Sequence, residues 1–223
     1  MPTVLITGAN RGLGLEFARQ YAADGWQVIA TVRDPAKAAE LPKLDAVRVE
    51  VLDVADLEAV TRFGERVGER LDLFIANAGL YGPRQIVSAE DGEGWLDTLR
   101  VMAVSPVLMA EALMPALEAA RGKAVAITSR MGSVSDNTSG GFIAYRSGKA
   151  ALNAAWTSLA LDHQTSGVAF GLLHPGWVQT RMGGESAPVE PAESIAGMRR
   201  VIEGLKPGGA SPFLDFRGDA VPW

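Results

Sequence analysis

Thr3-Val4-Leu5-Ile6-Thr7-Gly8-Ala9-Asn10-Arg11-Gly12-Leu13-Gly14 is the stretch on which the reading of the fold turns. A short apolar run reads as a buried strand, Thr3–Thr7, and stops at Gly8. Glycines follow at 8, 12 and 14, and Leu13, Phe17 and Tyr21 then recur every four residues on one face of a helix over Gly12–Ala23. Strand, glycine turn and helix together make a phosphate cradle. Glycine lets the backbone turn tightly and come close to a pyrophosphate, and the helix N-terminus offers unpaired N–H groups at the positive end of its dipole. A strand–helix turn that holds no ligand uses the same residues, so the context has to decide.

The context continues the alternation. Strands are expected at Gln27–Val32, Ala46–Val51, Leu71–Ala76, Ala124–Thr128, Val168–Leu173 and Pro212–Phe216. Helices are expected at Asp56–Val67, Trp95–Ala120 (bent near Pro106, which lacks the N–H), Ala144–Gln164 and Pro191–Leu205, with a short one begun by the cap Asp34 and Pro35. Strands alternating with helices imply right-handed crossovers. The expected fold class is a single Rossmann-type α/β domain over residues 1–223, a doubly wound parallel sheet of about seven strands with helices on both faces. The three long irregular stretches, Leu80–Gly94, Arg130–Gly141 and Gly176–Glu190, follow strands four, five and six. In an open parallel sheet such loops meet at the carboxyl ends of the strands, where ligands bind.

Composition narrows the function. The 223 residues are 48% hydrophobic and 21% charged, as in a globular protein, and carry a net charge of −5. That charge gives no footprint for nucleic acid or an anionic membrane. With no cysteine there is no disulfide, thiolate metal site or cysteine nucleophile. His163 and His174 have no ligand spacing, so no metal is expected. The N-terminal run is read as a strand, not a signal peptide, and no membrane span is expected.

Tyr145 and Lys149, in Tyr145-Arg146-Ser147-Gly148-Lys149, stand four apart at the start of a helix, so phenol and ammonium share one face. Free tyrosine titrates near ~10 and is a poor base at neutral pH. A cation ~5 Å away, at an effective dielectric of ~20, favours the phenolate by roughly 3 kcal/mol, about two pK units. The pair is therefore expected to exchange a proton with a carbonyl or alcohol oxygen. Alone, this spacing is common in surface helices; it gains meaning only in register with the glycine turn.

The joint pattern, T-G-x-x-x-G-x-G at Thr7–Gly14 and Y-x-x-x-K at Tyr145–Lys149, resembles the short-chain dehydrogenase/reductase family, with a tail like that of its C-factor-like subgroup. The resemblance runs from Val4 to about Leu205. It implies hydride transfer between NADP(H) and a carbonyl or secondary alcohol. Tyr145 is then the acid/base, Lys149 tunes it and holds the ribose, and Ser129 orients the substrate oxygen, with Thr128 as the rival hydroxyl. It also implies a dinucleotide site from Gly8, Asn10, Arg11, Gly12, Leu13, Gly14, Arg33, Asp53, Val54, Asn77, Ala78, Gly79, Pro175, Gly176, Val178 and Thr180, shared with Tyr145 and Lys149. The NAD-selecting acid of the family falls near Val32, which cannot bond a ribose, while Arg33 and Arg11 suit a 2′-phosphate. NADP(H) is thus preferred; NAD(H) is the alternative if Asp34 is the ribose ligand instead of a helix cap. Asp53 has the same choice between adenine contact and cap.

The sequence also departs from the family. Met102 stands where an asparagine is usual in the helix before strand five, which puts the water relay to the lysine in doubt. Ser135–Gly141 reads as a small insertion, and Arg181–Glu190 is a brief substrate lid that suggests an open pocket. A regulatory or signalling protein that binds dinucleotide with little turnover is the alternative. A homodimer or homotetramer and a cytoplasmic location complete the expectations.

Overall fold

The computed structural model describes residues 1–38 and 40–223. Its strands are β1 (Thr3–Ile6), β2 (Gln27–Val32), β3 (Val47–Val51), β4 (Leu73–Ala76), β5 (Lys123–Ile127), β6 (Ala169–His174) and β7 (Phe213–Asp215). Its α-helices are α1 (Gly12–Ala23), α2 (Leu57–Arg62), α3 (Ala89–Leu99), α4 (Ser105–Ala120), α5 (Ile143–Asp162) and α6 (Pro191–Gly204). All seven strands pair in parallel in one sheet of order β3-β2-β1-β4-β5-β6-β7. The expected α/β class and strand number are those observed.

Alternation along the strands builds two cores. Leu5 and Phe74 face the layer that holds Val60, Met109, Leu113, Leu152 and Trp156, while Val4, Ile6 and Ile75 face Phe17, Tyr21, Ile195 and Met198. Parallel strands buried on both faces read as continuous apolar runs, which is why the strands were legible. Trp156, fully buried, packs against Phe74 and Phe170 at 6.3 and 6.0 Å between ring centroids. From β1 the chain winds to β3 at one edge, then returns to β4 on the other side of β1. The loops leaving β1 and β4 diverge, and a crevice opens at this switch point.

Three elements differ from the sequence reading. The long helix begins at Ala89, inside a stretch read as loop, because Ser88 and Asp91 form a reciprocal capping box. The bend before Pro106 is a π-helical turn over Arg100–Val104, in which the Ser105 N–H bonds the Arg100 carbonyl five residues back. A proline ring clashes with the carbonyl four residues before it, here that of Met102, and the wider turn relieves the clash. After α2 the helix expected to reach Val67 tightens to a 3-10 turn over Phe63–Arg66, where Gly64 lets the chain pass against the Ala112 backbone.

The continuous run Ala89–Ala120 is long and apolar enough to cross a membrane by length and composition, holding an 18-residue window of mean hydropathy 1.4. In the fold 61% of that apolar window is buried against the sheet and its neighbouring helices.

Candidate active site

One cleft of about 1620 Å³ lies along the carboxyl ends of the strands. Typical small-molecule pockets span roughly 300–1,000 Å³, so there is room for a dinucleotide and a second molecule. Every residue expected at the site lines it except Gly14, which lies beneath the floor.

The phosphate end is built from backbone. Gly8 and Gly12 both take positive φ, +66° and +55°, a region that penalises side chains. A Cβ on Gly8 would stand 3.0 Å from Ala78 Cα, and one on Gly14 would stand 2.5 Å from the Gly8 carbonyl and 2.6 Å from Asn77 Nδ2. The N-cap of α1 is Arg11, whose side chain accepts no hydrogen bond, so the first N–H groups of the helix stay open toward the cleft. The turn is held from across the sheet. Asn77 Nδ2 donates to the Thr7 and Gly8 carbonyls at 2.9 and 3.2 Å, and Thr7 Oγ1 accepts the Asn77 and Ala78 N–H groups at 3.0 and 3.1 Å. Asn77-Ala78-Gly79 is thus the clamp between β1 and β4.

At the end of β2 the Asp34 carboxylate is already engaged. It accepts the Ala36 N–H at 3.0 Å as a helix cap and pairs with Lys37 at 3.2 Å. The Lys37 contact, that N–H and the Arg33 charge hold its carboxyl below its usual range. Arg33 and Arg11 line the same wall and form no ion pair among the described residues. Asp53 Oδ1 accepts the Ala55 N–H at 3.0 Å in a tight turn, while Asp56, not Asp53, caps α2 through the Ala59 N–H at 3.0 Å. Asp53 and Val54 therefore face the cleft from a fixed loop.

At the centre, α5 lies against the end of β5. Ser129 Oγ accepts the Met131 N–H at 3.1 Å and stands beside the Tyr145 phenol. Lys149 is 5% exposed, and its ammonium donates to the Ile127 carbonyl at 2.7 Å. Its Nζ is 6.0 Å from the Tyr145 ring centroid. Burial governs both groups. It pushes the Tyr145 phenol up to about 12, with the Ser129 hydrogen bond opposing, and Lys149 down to about 8. The expected net lowering of Tyr145 is not what the protein's own groups produce: the phenolate loses more to desolvation than it gains from the Ser129 hydrogen bond, and the Lys149 ammonium is directed at a carbonyl instead. Tyr145 is thus held protonated, as an acid. Thr128, the rival hydroxyl, is turned inward and donates to Asn153 Oδ1 at 2.6 Å.

Met102 is fully buried in the π turn. Its Cε would lie 2.6 Å from a Cβ at Gly148, so the glycine beside Lys149 makes room for it. Pro106 offers no N–H to the Met102 carbonyl four residues back, so the helical ladder is interrupted at the family's asparagine position.

The far wall is the loop after β6. Ser194 Oγ donates to the Pro175 carbonyl at 2.6 Å; Gly176, at φ +84°, passes against the Phe216 ring; Thr180 Oγ1 accepts the Gly183 N–H at 3.1 Å. Val178 bridges to Val189. His174 lines the floor and is pushed down to about 4, by burial first and then by Arg130, against the pull of Asp215. It is neutral near pH 7. The lid is not open as its length suggested: Tyr81, from the loop after β4, donates to the Met182 carbonyl at 3.0 Å across the cleft. Tyr81 also packs on Tyr145 and Phe142, at 5.0 and 6.0 Å between centroids. The sequence reading named the Tyr81 loop but missed Phe142 and Asn153. The spacing Tyr145, Lys149, Asn153, four apart each time, was the signal for the latter.

With this geometry in hand the comparisons are direct. Residues 2–190 match the short chain dehydrogenase family, and the chain belongs to it. The C-signal of Myxococcus xanthus is 42% identical over 154 residues, which are 69% of this chain and 93% of that protein. The carbonyl reductase Sniffer of D. melanogaster superposes over 100% of both chains with a TM-score of 0.91 at 29% identity. An NADPH-bound carbonyl reductase from chicken fatty liver superposes over 100% of this chain and 99% of that one, also at 0.91, with 30% identity.

Proposed function

We propose that the protein is an NADP(H)-dependent carbonyl reductase. The observation that carries this is the meeting, in one cleft, of a backbone phosphate cradle and a protonated Tyr145 flanked by Ser129 and Lys149. The cradle fits a dinucleotide: a Cβ at Gly8 or Gly14 would collide with the backbone that shapes it, and the α1 N-terminus supplies free donors. Arg33 and Arg11 would hold the 2′-phosphate, Asp53 and Val54 the adenine, Asn77–Gly79 the floor, and Val178 and Thr180 the carboxamide. Bound NADP(H) supplies or accepts the hydride. Tyr145 gives its proton to the carbonyl oxygen as charge gathers there, and Ser129 donates a hydrogen bond to the same oxygen. A phenol raised by burial is protonated near neutral pH, the state in which it can give a proton to a carbonyl oxygen. The exposed Leu96, Val104 and Leu161 on α3–α5 support assembly into a dimer or tetramer.

The test follows NADPH and NADH oxidation over a panel of aldehydes and ketones, with wild type beside Tyr145→Phe. NADPH should be consumed with at least one carbonyl, and the variant should lose ~10²–10⁴-fold in kcat while still binding NADPH. The likeness to the C-signal and Met102 at the relay position favour a second reading, a dinucleotide-binding regulator. NADPH binding without turnover of any carbonyl would select it.

A further inference from the structure

We propose that Thr128 and Asn153 are a positioning pair that sets Ser129 in register with Tyr145 and Lys149; this rests on the reductase reading above. Tyr145, Lys149 and Asn153 form one stripe down α5, and all three are buried. Three consecutive residues at the end of β5 answer them. The Ile127 carbonyl takes the Lys149 ammonium at 2.7 Å, the Thr128 hydroxyl donates to Asn153 Oδ1 at 2.6 Å, and Ser129 stands against the Tyr145 phenol. The Thr128 N–H meanwhile bonds the Leu173 carbonyl at 2.9 Å, so the same residue is tied to both β6 and α5.

Stability does not account for the pair. It is the only hydrogen bond between two fully buried side chains among the described residues, and it leaves Asn153 Nδ2 buried with no partner among them. An apolar pair of the same shape avoids that orphaned donor and is commonly as stable. A hydrogen bond offers direction, which an apolar contact lacks. It fixes the rotation and depth of the strand end, and any slip of Thr128 carries the Ile127 carbonyl and the Ser129 hydroxyl with it. Misplacing reacting groups by ~1 Å costs on the order of 10²-fold in rate.

Thr128→Val keeps the shape and removes the hydroxyl; Thr128→Ser keeps the hydroxyl; Thr128→Val with Asn153→Leu removes the orphaned amide as well. For each, kcat, carbonyl KM, NADPH affinity, the pH profile of kcat/KM and the hydrogen exchange of the Met131 and Gly132 amides are measured. Thr128→Val should lose about tenfold or more in kcat at near-constant NADPH affinity, with a displaced pH profile and faster exchange at both amides. Thr128→Ser should recover most of both, and the double variant should keep its Tm without recovering kcat. Wild-type kcat and exchange in Thr128→Val, or equal damage in Thr128→Ser, overturns the pair. If wild type turns over no carbonyl, the reductase reading falls by itself. Exchange then still decides the register: acceleration in Thr128→Val alone upholds it, and unchanged exchange ends it.

Discussion

At the Gly8–Gly14 turn the cleft is walled by backbone. Its recognition groups are N–H donors, its shape is set by the absence of side chains at Gly8, Gly12 and Gly14, and its outer clamp is the Asn77 amide. At the α5–β5 seam the cleft is backed by packed side chains. Lys149, Thr128, Asn153 and Ser129 are drawn from two distant segments and buried at a cost. The first region must stay narrow. The second is buried and must stay in register. Damage to the turn should therefore appear as lost cofactor affinity, and damage to the seam as lost rate.

Lys149→Met is the strongest way to break this contrast. It should cost ~10²–10⁴-fold in kcat, the range for a residue that tunes proton transfer. It should not lower Tm, because the buried ammonium is itself a burden. The sign follows from linkage. With Lys149 pushed down to about 8 from 10.5, the unfolded chain binds the extra proton between those values, so wild-type stability rises as pH climbs from about 8 to 10.5. The variant should lack that rise, and denaturant midpoints at pH 7 and 10 check it. A variant that loses rate and stability together would recast the seam as a folding device.

Gly14→Ala probes the other region. Its Cβ has no room beside the Gly8 carbonyl and Asn77 Nδ2, so ~1–3 kcal/mol of stability should go. NADPH affinity should fall with it, by calorimetry, while kcat at saturating NADPH changes far less. Arg33→Ala should sharpen the cofactor reading. Losing a charge-assisted contact of ~1.5–3 kcal/mol weakens NADPH binding by about 10- to 100-fold and leaves NADH binding nearly unchanged. Equal losses for both would return the ribose to Asp34. The smallest effect belongs to Gly148→Ala. Its Cβ would crowd the flexible end of Met102 at 2.6 Å and touch Thr98 Cγ2 at 3.4 Å, so stability should drop by less than ~1.5 kcal/mol, with kcat within a few-fold of wild type.

The glycine turn was readable in advance because its cause is local: a strand, three glycines and a helix determine their own geometry whatever surrounds them. The Tyr145–Lys149 stripe was readable for the same reason, as helical spacing alone puts the two on one face. The start of α3 at Ala89 was missed although Ser88 and Asp91 carry a capping signature, because Gly92 and Gly94 hide the helix behind loop-like composition. The strap from Tyr81 to Met182 had no sequence signal, since its partners are joined only by the packing of two separate loops.

By itself the sequence determined the α/β alternation, the phosphate turn and the candidate proton-transfer pair, all of which rest on short-range spacing. Only the tertiary structure decided the protonation of that pair. Spacing brought a cation near a phenol and predicted an easier phenolate. Burial between α5 and β5 disfavoured charge on both and turned the ammonium to the Ile127 carbonyl. It also decided which hydroxyl stands beside the Tyr145 phenol, because Thr128 is spent on Asn153 and Ser129 is not. Desolvation depends on everything that surrounds a group, and that is settled only when the distant segments have packed.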